Sequence, residues 1–105
     1  MTNILEQLEI VIRARRDANP EDSYVANLRS KGRGKMAEKL GEEAVEAVIA
    51  AVQDDPDAMT GEAADLLFHL MVLLADMGLS IDNVLAELSR REGLSGLAEK
   101  ASRKD

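Results

Sequence analysis

The chain has 105 residues, a formal net charge of −7, no cysteine, no tryptophan, and one each of tyrosine, phenylalanine and histidine. That length holds one small domain and excludes two. The missing cysteine excludes disulfides, thiolate metal sites and cysteine nucleophiles, so any metal must be held mainly by oxygen.

With 46% hydrophobic and 31% charged residues, a packed core is expected, built from Leu, Val, Ile, Met and Ala. Ile4, Leu5, Leu8, Val11 and Ile12 recur at helical spacing, and Asn19-Pro20 is expected to end that first helix. Ser23 is placed to cap a short second helix that Gly32 closes. A third helix is expected from about Gly34 to Gln53, with Val45, Val48, Ile49 and Val52 as its apolar stripe and Gly41 inside it at a cost of ~1 kcal/mol relative to Ala. Asp54-Asp55-Pro56 is a break followed by a cap and a first-turn proline, opening a fourth helix from about Pro56 to Met77 that Gly78 stops. Ser80 caps a fifth, ending near Arg91. Met36, Met59, Met71 and Met77 read as core filler. The expected fold is all-α: about five helices in an antiparallel bundle over residues 1–93, with a polar tail over 94–105.

The longest apolar run, Leu66 to Ala75, is shorter than the roughly 20 residues a membrane span needs, and the first residues lack the pattern of a signal peptide. A soluble, cytoplasmic protein without a membrane partner is expected. Its charge is uneven: residues 1–37 carry 7 basic and 5 acidic groups, 38–65 carry 1 and 9, and 66–105 carry 5 and 6. An acidic centre repels phosphate backbones, and Tyr24 with Phe68 make no stacking platform, so nucleic-acid binding is not expected.

Two carboxylate pairs at i,i+3 spacing stand within the acidic segment, Glu43 with Glu46 on the third helix and Glu62 with Asp65 on the fourth. Partners at that spacing lie about 60° apart on a helix, so each pair projects from one face. Lys39, Glu42, Glu43 and Glu46 fall within an arc of about 100°, which alone would describe the solvated face of an amphipathic helix. The fourth helix argues otherwise: Glu62, Asp65, His69 and Asp76 share an arc of about 60° on an otherwise apolar cylinder, a helix expected to be buried almost all round. If the two helices pack antiparallel, their acidic faces meet. Four carboxylates at close range retain protons or bind a multivalent cation, and all-oxygen ligation selects Mg²⁺ or Mn²⁺. A carboxylate di-iron site needs Glu-x-x-His on two helices, and the chain has one His. His69 is read as a partner of a ligand or as a satisfied core histidine.

The runs SYVANLRSKGRGKMAEKLGEEAVEAVIAA at 23–51 and GEAADLLFHLMVLLADMGLSIDNVLAELSRR at 61–91 resemble the phosphoribosyl-ATP pyrophosphohydrolases of histidine biosynthesis, a branch of the all-α, MazG-like nucleotide pyrophosphatases. The signature of that superfamily, Glu-Glu-x-x-Glu followed by Glu-x-x-Asp, is matched by Glu42-Glu43-Ala44-Val45-Glu46 and Glu62-Ala63-Ala64-Asp65. More specific to the histidine branch are Ser23-Tyr24, Lys39-Leu40-Gly41 and Ala64-Asp65-Leu66-Leu67-Phe68-His69. Val25 and Phe68 stand where the branch often has Thr and Tyr, and neither is at a ligand position.

The resemblance implies Mg²⁺-dependent hydrolysis of phosphoribosyl-ATP to phosphoribosyl-AMP and pyrophosphate, in a homodimer or higher homo-oligomer. On that footing Glu43, Glu46, Glu62 and Asp65 are the expected metal ligands, with Mn²⁺ a substitute for Mg²⁺, and Glu42 is a candidate to orient or deprotonate the attacking water. Two readings of Lys39 stay open, a phosphate contact and an i,i+4 salt bridge with Glu43. Ser23 is read as a cap before a substrate contact, and Tyr24 as packing in the core or facing the nucleotide. Of the basic residues Arg13, Arg15, Arg16, Arg29, Lys31, Arg33 and Lys35, some are candidates to bind the substrate's phosphates from the same or a partner subunit, and most are expected to be solvated. The competing functions are a house-cleaning (d)NTP pyrophosphatase with the same metal site, and a non-catalytic helical module whose acidic face docks a basic partner.

Overall fold

A computed structural model describes residues 3–92 as five helices, α1 (Ile4–Arg15), α2 (Tyr24–Lys31), α3 (Arg33–Val52), α4 (Pro56–Asp76) and α5 (Ile81–Arg91), with no strand among the described residues. The expected all-α fold is thus observed; the polar tail expected over 94–105 lies outside the described residues.

The caps fall where polar side chains can satisfy the free N–H groups of a helix start. The Ser23 hydroxyl accepts from the Ala26 N–H at 3.2 Å, the Asp55 carboxylate accepts from Ala58 N–H at 3.1 Å ahead of Pro56, and Ser80 and Asn83 form a reciprocal capping box. Gly32, at φ 95° and ψ 167°, is both the last cap of α2 and the first of α3, so the corner between them needs a residue without a Cβ. One boundary differs from expectation. α1 stops at Arg15, before Asn19-Pro20, because the chain turns through bonds from Ala18 N–H to Arg15 C=O and from Glu21 N–H to the Asn19 side chain, each 3.0 Å.

α3 and α4, joined by residues 53–55, form an antiparallel hairpin that is the most extensive helix pair in the fold. α3 does not meet α4 through its valines. Its buried residues are Met36, Glu43, Ala47 and Ala50, which lie within an arc of about 60° at a helical period of 3.6. The small alanines let α4 approach, and Glu43 sits in the seam. The expected apolar stripe points away from the core, with Val45, Val48, Ile49 and Val52 exposed to 58, 60, 49 and 81%. A pattern reading gives a helix one apolar face to bury; α3 has two, and among the described residues only the alanine one is covered.

The core proper gathers Ile12, Val25, Leu28, Met36, Met71, Val72, Ala75 and Ile81 where α1, α2 and α5 close over the other end of the hairpin. Leu5 and Leu8 pack against it, while Ile4 and Val11 of the same expected stripe are exposed. Of the methionines, Met36 and Met71 are buried, Met59 is partly buried and Met77 is exposed. α4 is not buried all round: His69, Met71, Val72 and Ala75 are buried, and Leu67 on another face is exposed. Taken at its full 21 residues rather than at its longest unbroken run, α4 does reach the length and mean hydropathy of a spanning helix. In this fold one side of that helix packs on α3 and α1, and 22% of its apolar window is buried.

Candidate metal and phosphate site

The hairpin register brings the two carboxylate pairs together. Glu43, Glu62 and Asp65 each offer an oxygen within 4.8 Å of the others, and Glu46 is near enough to Glu62 and Glu43 to raise the pKa of both. Glu43 is 8% exposed, Glu62 half-buried and Asp65 exposed, so the group runs from the helix seam out to solvent. One oxygen each of Glu43 and Glu62 is buried without any hydrogen-bond donor. Buried acceptors left unpaired are costly. The cost appears in the ionisation: burial, then the neighbouring carboxyls of Glu46 and Asp65, pushes the Glu43 carboxyl up, while the nearby Glu46 carboxyl, then burial, pushes Glu62 up to about 7.

Those features fit a hard divalent cation. Oxygen ligands at about 2.1 Å on an octahedral ion stand at most about 4.2 Å apart, close to the spacing already present. A cation would pair the two orphaned oxygens and neutralise the crowded charge. An open cleft of about 210 Å³, lined by Glu46, Ile49, Ala50, Gln53, Ala58 and Glu62, adjoins the group on the side of the α3–α4 turn.

The remaining expected site residues lie beside this group. Lys39 pairs with Glu42 at 2.9 Å rather than with Glu43. The pairing raises the Lys39 pKa and lowers that of Glu42. Both i+3 and i+4 neighbours are within reach on a helix, and Glu43 is turned into the seam, so the lysine takes the outer carboxylate. Asp76, on the same arc of α4 as Glu62 and Asp65, takes no part: three helical turns further on, its carboxylate accepts from Arg33 at 2.8 Å. Several basic residues expected to be solvated are likewise engaged. Arg16 donates to the Ala75 carbonyl at 3.2 Å, Arg29 pairs with Asp17, and Arg13 reaches Glu9 at 3.8 Å.

His69 is buried and fully bonded. Its Nδ1 lies 2.8 Å from the Asp65 carbonyl and its Nε2 2.8 Å from the Tyr24 hydroxyl. Tyr24, half exposed, therefore neither packs in the core nor stands free: its ring stacks on Phe68 and its oxygen engages the histidine. The sequence signal for this contact was the pair of branch-specific motifs at 23–24 and 64–69, which are distant in sequence and meet here.

The family described as phosphoribosyl-ATP pyrophosphohydrolase matches residues 5–92. A phosphoribosyl-ATP pyrophosphatase of Rhizorhabdus wittichii is 66% identical over 103 residues, covering 98% of this chain and 97% of its own. Proteins of the same name from Erythrobacter litoralis (61% identical, 98% of this chain and 99% of that one) and Zymomonas mobilis (59%, 94% and 92%) are similarly close. The chain belongs to the phosphoribosyl-ATP pyrophosphohydrolase family.

Proposed function

We infer that this chain hydrolyses phosphoribosyl-ATP to phosphoribosyl-AMP and pyrophosphate, a step of histidine biosynthesis, with Glu43, Glu46, Glu62 and Asp65 holding Mg²⁺ or, in its place, Mn²⁺. The observation that carries the metal assignment is the pair of buried, donorless oxygens on Glu43 and Glu62 beside two further carboxylates. When bound, the cation supplies charge neutralisation for the phosphates and acidifies water.

The residues around that centre divide the remaining work. Glu42, held ionised by Lys39, is assigned to orient the attacking water; a carboxylate of lowered pKa is a good acceptor and a poor base, so orientation suits it better than proton abstraction. Lys39, kept protonated by the same contact, is the cation assigned to a phosphate oxygen. The cleft of about 210 Å³ is smaller than the roughly 300–1,000 Å³ of ordinary small-molecule sites. Together with the exposed valines of α3, this supports a homodimer or higher homo-oligomer in which a second copy completes the pocket. A cytoplasmic location goes with this reading.

The test is pyrophosphate release from phosphoribosyl-ATP and from a panel of dNTPs, each with Mg²⁺. Phosphoribosyl-ATP is expected to be turned over far faster than any dNTP. Equal or faster turnover of a dNTP would make this chain a general nucleotide pyrophosphatase. Glu43, buried in the seam rather than displayed to solvent, speaks against a purely docking role for the acidic face.

A further inference from the structure

The geometry points to Tyr24 and His69 as a positioning pair that holds the Asp65 turn of α4 in register with the acidic group; this rests on the assignment of Asp65 as a metal ligand. The Asp65 carboxylate is exposed and makes no side-chain hydrogen bond or ion pair among the described residues. Its position is therefore set through its backbone. The backbone carbonyl of Asp65 only accepts, so the His69 Nδ1 at 2.8 Å carries the hydrogen, and the lone pair of Nε2 is left to accept from the Tyr24 hydroxyl at 2.8 Å. Every polar atom of this buried ring is thereby used, and the imidazole is fixed in one tautomer and one orientation.

Tyr24 is anchored from the opposite side. It follows Ser23, whose buried hydroxyl caps α2 and also donates to the Arg15 carbonyl at 3.3 Å, tying the start of α2 to the end of α1. The Tyr24 ring stacks on Phe68 with centroids 6.1 Å apart, and His69 stands edge-on to both rings at 5.7 and 5.2 Å. Among the described residues the Tyr24–His69 bond is the one hydrogen bond between α2 and α4. Through the imidazole it links the first residue of α2 to the Asp65 carbonyl on α4. Groups that orient a ligand in this indirect way typically change metal affinity or activity by about 10–100-fold when removed.

The test is calorimetric titration of Mg²⁺ into the full chain without substrate, for the wild type, Tyr24→Phe, His69→Asn and Asp65→Asn, with melting temperatures in EDTA alongside. Tyr24→Phe keeps the ring stack and removes only the hydroxyl, so it reports even where His69→Asn does not fold. The expected result is a Mg²⁺ dissociation constant raised about tenfold in Tyr24→Phe, with helix content unchanged, and raised further in Asp65→Asn. Wild-type affinity in Tyr24→Phe, whatever its melting temperature, beside weakened Asp65→Asn would overturn the positioning role and leave the metal assignment standing. Wild-type affinity in Asp65→Asn would overturn the ligand assignment and the pair with it.

Discussion

Glu62 ties the site to pH more directly than any other residue. Its carboxyl is held up to about 7 by the Glu46 carboxyl and by burial, against about 4.3 for an unfolded glutamate. A native-state pKa above the unfolded one means that folding takes up a proton between the two values, so the stability it contributes is full below about 4.3 and is lost as pH rises through about 7. Without metal, the melting temperature should therefore fall between pH 5 and pH 8. A cation competes with that proton, so the rise in melting temperature on adding Mg²⁺ should be larger at pH 8 than at pH 6. Equal shifts at both pH values would show that Glu62 does not share the cation. The four carboxylates were legible in the sequence as residue types at helical spacing. Their unequal burial was not, because a wheel gives each residue's direction but not the neighbour it faces. For the same reason the i,i+4 spacing assigned Glu43 as the salt-bridge partner of Lys39, whereas packing against α4 turns Glu43 inward and leaves Glu42 as the partner.

At the level of elements, starts and stops were the most legible features, since Ser23, Asp55, Ser80, Gly32 and Gly78 act through local chemistry that needs no tertiary context. Two glycines make opposite predictions. A Cβ at Gly41, inside α3, would meet nothing within 4 Å, so Gly41→Ala should stabilise the metal-free chain by about 1 kcal/mol, read from denaturant melts. Gly32 is held at φ 95°, a region that costs other residues on the order of 1–3 kcal/mol, so Gly32→Ala should destabilise by about that amount. Were both substitutions neutral, the corner between α2 and α3 and the regularity of α3 would need redrawing. The valine face of α3 was legible as apolar and misplaced as core. Hydrophobic periodicity says that a face is to be covered, without saying which chain covers it.

For the whole molecule, the uncovered face is the largest departure from a self-sufficient bundle. Val48 and Val52, exposed to 60 and 81%, would each contribute about 1.5–3 kcal/mol if fully buried, and a row of such residues on a small monomer is unusual. If the proposed assembly forms through this face, the wild type should sediment as a dimer or larger and Val48→Glu as a monomer; an assembly unaltered in Val48→Glu would move the interface off α3. The net charge of −7 also changes meaning at this scale. It is concentrated at the hairpin, where Glu43, Glu62 and Asp65 gather in one acidic group, rather than being spread evenly over the surface. The most direct measurement of the central claim is Mg²⁺-dependent pyrophosphate release from phosphoribosyl-ATP by the wild type, Glu46→Gln and Asp65→Asn. Loss of release in both variants, with the helical circular dichroism of the wild type retained, is the predicted result; full activity in either would contradict the assignment of the four-carboxylate hairpin as the catalytic metal site.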